Sequence, residues 1–189
     1  MTHDIIVLLA ALGVAGQALA ALLLLVGIAA VVGVGTPLLA LQRVVEGYEL
    51  WLAFLVSAIA TGGSLFFSET AGFVPCELCW YQRICMYPLA IVTLLAAAFD
   101  DRRAARYLLP LPVVGAGVSV YHLLVENRVV GESQICKFSG GCATKWIDEF
   151  GYMTIPTLAL TGFALVFAFL LLAALDGGPA DATATVVEA

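Results

Sequence analysis

Trp80-Tyr-Gln-Arg83-Ile-Cys85-Met-Tyr-Pro88-Leu-Ala-Ile-Val-Thr-Leu-Leu-Ala-Ala-Ala-Phe99, followed at once by Asp100-Asp-Arg102-Arg103-Ala-Ala-Arg106, decides the class of fold. Beyond its opening turn the first part is apolar. It also has the roughly 20 residues that one helix needs to cross a bilayer. The second part packs three arginines into a tight turn, which the positive-inside rule assigns to the cytoplasm. Leu50–Phe67, Tyr107–Val125 and Ile155–Leu175 read as three further spans. Residues 5–35 are uncharged, with Gln17 as their only strongly polar side chain. The 189 residues are 62% hydrophobic and only 12% charged, with a mean hydropathy of +1.05. Soluble domains are near half apolar and about a quarter charged, and none could bury this much apolar surface. A net charge of −6 leaves no basic footprint for nucleic acid. The chain therefore reads as an all-α integral membrane protein.

The first span, residues 5–35, has no basic leader and about twice the apolar length of a signal peptide, so it is expected to be retained. Gly33, Gly35 and Pro37 loosen it before a polar joint from Gln42 to Glu49 that carries Arg43. The organisation expected is an N-terminal helix with its joint (1–49), a membrane domain (50–175) and a small-residue acidic tail (176–189) that reads as disordered. The first 4 residues and the connection at 68–79 hold no Lys or Arg, whereas Arg128, Lys137 and Lys145 are spread along 126–152. Five spans with the N-terminus outside place both of those connections outside.

Those connections carry four of the five cysteines, as Cys76-Glu-Leu-Cys79 and Cys136-Lys-Phe-Ser-Gly-Gly-Cys142. Outside the cytoplasm, disulfides persist. Cysteines at i and i+3 lie about one helical turn apart, and a helix N-terminus favours a thiolate. Alone, the pair also reads as half a zinc site. Arg83 shares a helix face with Cys79, four residues earlier. An arginine one turn inside a span either snorkels to headgroups or donates hydrogen bonds to a lipid-dissolved acceptor, for which a quinone fits. The loop pair allows a small, exposed disulfide ring that invites an attacking thiolate, with a loop staple as the plain alternative. Ala143 to Gly151 reads as a short surface helix with Trp146, Ile147 and Phe150 on one face and Gly151 as its stop, holding the loop over the first pair. Cys85, about 9 Å deeper than Cys79, reads as a buried inert thiol. His122 reads either as a satisfied core histidine or as part of a quinone site.

Cys76-Glu-Leu-Cys79-Trp-Tyr-Gln-Arg83-Ile-Cys-Met-Tyr-Pro88 and Cys142-Ala-Thr-Lys-Trp-Ile-Asp-Glu-Phe-Gly-Tyr-Met-Thr-Ile-Pro156 resemble the signatures of the DsbB/BdbC disulfide-bond formation proteins. The resemblance covers about residues 50–175 and is nearest the BdbC branch. It implies a four-helix transmembrane bundle with both pairs on the outer side, to which the segment at 5–41 adds a helix. It implies that Cys76 and Cys79 exchange electrons with ubiquinone or menaquinone, Cys79 facing the ring, with Arg83 contacting the quinone and His122 near it. It further implies that Cys136 forms the mixed disulfide with a thioredoxin-like partner of the DsbA/BdbD type and that Cys142 resolves it. Vitamin K epoxide reductase-like oxidases are the nearest rival enzymes, but there the loop pair precedes the C-x-x-C. A zinc-binding protein and a disulfide-stapled structural subunit are the non-enzymatic rivals.

Overall fold

The computed structural model describes residues 2–132, 136 and 141–176, and it contains helices and no β-strand among them. The acidic tail beyond residue 176 and most of the Ser139-Gly140-Gly141 hairpin lie outside the described residues. In chain order the helices are α1 (Thr2–Val31), α2 (Thr36–Val45), α3 (Glu49–Leu65), α4 (Glu77–Ala98), α5 (Arg103–Leu108), α6 (Pro110–Glu126) and α7 (Ile155–Asp176). A π-helical turn, Phe66–Thr70, prolongs α3. Five segments are long and apolar enough to cross a membrane: Thr2–Val31, Glu49–Thr70, Glu77–Ala98, Arg103–Glu126 and Ile155–Leu175.

α3, α4, α6 and α7 form a ring in which each helix packs on the next, and α1 lies against α7 from outside. The spans alternate in direction. Arg43, Arg102, Arg103 and Arg106 therefore gather at one end of the bundle, and both close-spaced cysteine pairs at the other. Lipid-facing positions stay apolar, as at Leu24, Ile84 and Ile91, while Phe163, Leu89, Val166 and Leu170 fill the interior. Few hydrogen bonds join helices, but they tie the ring: Ser57 Oγ to Thr93 Oγ1 at 3.3 Å between α3 and α4, and Gln82 Nε2 to Ser119 Oγ at 3.0 Å between α4 and α6. Small residues let helices approach within a bilayer. At Gly115 a Cβ would overlap the buried Phe163 ring of α7. Gly115→Ala is accordingly expected to destabilise the bundle by about 1–3 kcal/mol, read as a lower unfolding temperature in detergent while the lipid-facing Val113→Ala leaves it nearly unchanged.

Three local expectations are corrected. The joint does not begin at Gln42, because Thr36-Pro37 opens α2, with proline in the first turn where its missing N–H costs nothing. The span expected at Tyr107–Val125 begins earlier and is broken: α5 (Arg103–Leu108) holds its first residues and α6 starts anew at Pro110 within one crossing segment, Arg103–Glu126. Ala143 to Gly151 is not helical. Phe150 and Gly151 adopt φ of 57° and 77°, and Glu149 pairs with Met153 as an isolated antiparallel bridge. A segment this short has little helical stability of its own, so its side chains are placed by tertiary contacts. Ile147 is buried beside Ile6 and Phe67, and Trp146 stacks on Phe73 at 5.2 Å. The segment is anchored without the helix, on α1 and on the connection that follows α3.

Candidate redox site

Cys76 caps α4. Its backbone is extended and its Sγ accepts the N–H of Cys79 at 3.4 Å. One turn on, Cys79 brings its own sulfur to 3.1 Å from Sγ of Cys76, the two sharing a hydrogen bond. His122 of α6 completes the group, with Nε2 3.6 Å from Sγ of Cys76 and 3.1 Å from the carbonyl oxygen of Cys142. A carbonyl can only accept, so Nε2 carries the proton and His122 donates towards both. The hydrogen bond with Cys79 is the largest cause that lowers the Cys76 thiol, to about 5; burial opposes it and His122 assists. These contacts favour the Cys76 thiolate, and a stabilised reduced form makes a dithiol couple a stronger oxidant.

Cys76, Cys79 and His122 also set three metal-ligand atoms within 4.8 Å of one another. Two thiolates on a tetrahedral zinc, each about 2.3 Å from the ion, stand about 3.8 Å apart. The observed 3.1 Å is closer than that and fits a dithiol poised to close.

Cys136 and Cys142 are joined by a disulfide. Contrary to the expectation of an exposed ring, they are 0% and 1% exposed, packed with Cys76, Leu78 and Val125. The reason is apolar complementarity: the sulfurs and Ala143 cover Tyr121 and Val118 of α6, and Cys79 borders the same cluster. Gly141, with φ of 93°, makes the turn, and a Cβ there would press on the Glu132 carboxylate, which accepts the N–H of Ala143 at 2.8 Å. The two couples, far apart in sequence, form one sulfur cluster bridged by His122.

Cys79 also borders a cavity of about 240 Å³ walled by α1, α3, α4 and α7, with Arg83, Gln82 and Ser64 among its lining. Arg83 is 9% exposed and folds into the bundle. Its Nε donates to Ser64 Oγ at 3.0 Å and its Nη2 to the Ser64 carbonyl at 2.9 Å, while its guanidinium lies 5.2 Å from the Trp80 ring. Tyr87 donates to the same Ser64 hydroxyl at 3.4 Å. His122 is not among the lining residues; it stands between the two couples instead. Cys85 is buried in the main core cluster, apart from the other four sulfurs. Ser64, Trp80 and Tyr87 were not singled out from sequence. Nothing in their spacing links Ser64 to Arg83, nineteen residues later; only the antiparallel pairing of α3 with α4 does.

The family model for "Disulfide bond formation protein DsbB" matches residues 48–175. The chain belongs to the DsbB family. It is 45% identical over 133 residues to "Disulfide bond formation protein C" of Bacillus subtilis, covering 69% of this chain and 94% of that protein. It is 41% identical over 131 residues to a probable disulfide formation protein of Deinococcus radiodurans, covering 65% and 86%. A Coxiella burnetii protein of the same description is 38% identical over 135 residues, covering 70% and 91%. No solved structure matches significantly. This DsbB-family chain is thus a multi-pass membrane protein of disulfide bond formation, and α1 and α2 lie outside the matched span.

Proposed function

We propose that the protein re-oxidises an extracytoplasmic thioredoxin-like dithiol partner, of the DsbA/BdbD type, and hands the two electrons to membrane quinone. One observation carries this reading: Cys76 faces the loop disulfide through His122, while Cys79, one turn on, borders the cavity that Arg83 also lines. That is a wire with two ends. The arginine-rich end of the bundle lies opposite both couples, which by the positive-inside rule supports an outer position for the sulfurs.

The cavity fits a quinone in kind. Its walls are mainly apolar, as a ring with an isoprenoid tail requires, and Arg83, held by Ser64, brings a fixed cation to its edge. When bound there, a quinone supplies a two-electron, two-proton sink. The chain's own residues do the rest. A partner thiolate attacks Cys136, forming a mixed disulfide and releasing Cys142 as thiolate. The partner's second thiolate then closes its own disulfide and frees Cys136. The reduced loop couple attacks Cys76–Cys79, re-forming Cys136–Cys142 and leaving the electron pair on Cys76 and Cys79. His122 and the α4 N-terminus hold Cys76 as thiolate at that stage. Per cycle one partner dithiol becomes a disulfide and one quinone becomes quinol. The buried loop disulfide must be uncovered before attack, so the partner's docking has to lift the loop from α6.

The test is quinone reduction by purified protein with a reduced thioredoxin-fold donor, with each cysteine replaced in turn. Loss in each of the four variants, and retention in Cys85→Ser, is the expected pattern; full activity in any of the four overturns the relay. A second measurement addresses the proton. Alkylation of Cys76 in the reduced couple, followed by mass spectrometry against pH, should rise through an inflection near the thiol value of about 5. In His122→Ala that inflection moves up, because the variant loses a donor to the thiolate. An unmoved inflection would return His122 to a structural role.

A further inference from the structure

We propose that α1 is the wall that receives the apolar tail of the electron acceptor, so that Leu9, Leu12, Gly13 and Gly16 set how tightly long-tailed acceptors bind. The inference rests on the reading that a quinone occupies the cavity beside Cys79.

Three observations carry it. First, those four residues line the same cavity as Cys79 and Arg83, although α1 lies outside the span matched by the family model. The bundle α3–α7 supplies the sulfur and the cation; α1 supplies apolar wall and backbone alone. Secondly, α1 is fixed in place rather than loosely tethered. Ile6 is buried with Phe67 and Ile147, Ala10 is fully buried, and Tyr152 donates to Gln17 Oε1 at 3.1 Å. Gln17, the one strongly polar side chain of residues 5–35, thereby ties the helix to the segment leading into α7. Thirdly, the glycines set the approach. A Cβ at Gly13 would collide with Leu158, and one at Gly16 would crowd Thr161 and Leu165 at 3.1 and 3.2 Å. Their bare backbone lets α1 close on α7 and leaves Leu9 and Leu12 against the cavity. A charged ring edge needs Arg83, whereas a hydrocarbon tail needs only apolar contact, and α1 offers nothing else. The division assigns the ring to α4 and the tail to α1.

The experiment uses the full chain and three probes: decylubiquinone, the same ring without its tail, and a photoreactive decyl quinone. A decyl quinone with a diazirine at the tail end is photolysed on the protein, and the labelled peptides are mapped with and without excess decylubiquinone. The expected result is competed label within residues 9–16. In parallel, Leu12→Trp should raise the KM for decylubiquinone about tenfold, the scale on which a hydrophobic pocket rejects a misfitting group. The KM for the tail-less ring should be unchanged. Leu24→Trp, on the lipid-facing side of the same helix, should change neither. Competed label on α3, α4 or α7 only, with Leu12→Trp behaving as wild type, overturns the role of α1 but leaves the cavity reading standing. Absence of competed label on every wall, with Ile59→Trp of α3 also silent, overturns the cavity reading and this inference with it.

Discussion

Cys79→Ser is expected to oxidise at most one equivalent of partner dithiol and then stop, with steady-state quinone reduction at background. The substitution leaves the Cys136–Cys142 disulfide in place, so the first exchange with the partner still has its target. What disappears is the way onward. Serine cannot form a disulfide with Cys76, so the reduced loop couple has nothing to attack, and no thiol remains among the cavity's described lining residues. A quenched-flow measurement of partner thiols would show a burst without turnover. Cys136→Ser and Cys142→Ser, each of which lacks the loop disulfide that the partner attacks, should show no burst at all. The contrast matters because a folding defect would remove burst and turnover together. Sustained turnover in Cys79→Ser would mean that electrons leave by another route, and the polarity drawn from Cys76 to Cys79 would be wrong.

Span number, the up-and-down course and the pairing of cysteines were legible in the sequence because each depends on short-range chemistry. An uncharged run long enough to cross a bilayer, an arginine-dense turn and a four-residue C-x-x-C do not need a neighbour to be recognised. The site's second layer does need one. Ser64 is an ordinary serine after two glycines until α3 and α4 pair and bring its hydroxyl and carbonyl to Arg83. His122 was visible as an odd polar residue in a span, but only the packing of α6 under the loop shows that it stands between Cys76 and Cys142. The segment from Ala143 to Gly151 misled for the opposite reason. Its helical spacing of Trp146, Ile147 and Phe150 is satisfied by an irregular path in which Ile147 enters the cluster of Ile6 and Phe67 and Phe150 stays exposed. Burial of the loop disulfide was likewise hidden, since a glycine-rich sequence reads as open until Val125 and Tyr121 offer Cys136 and Cys142 a surface.

Arg83→Ala should raise the KM for quinone about 10–100-fold, because a hydrogen bond to a charged group is worth about 1.5–3 kcal/mol and each 1.4 kcal/mol is tenfold. Exchange between the two sulfur couples should change far less, since the guanidinium bonds to Ser64 and makes no hydrogen bond to Cys136 or Cys142 among the described residues. Two further variants separate this role from headgroup snorkelling. A snorkelling arginine is replaced by lysine without loss, but here Ser64 takes two donors from one guanidinium, an arrangement an ammonium on a flexible stem does not reproduce. Arg83→Lys is therefore expected to fall between wild type and Arg83→Ala. Ser64→Ala removes one neutral acceptor and leaves the carbonyl bond, so its cost should be smaller, about 2–10-fold in KM. The ordering Arg83→Ala, then Arg83→Lys, then Ser64→Ala is what a positioned cation at the cavity edge requires. If all three variants matched wild type, the buried guanidinium would be a packing element of the α3–α4 interface and the acceptor would have to be held by other groups.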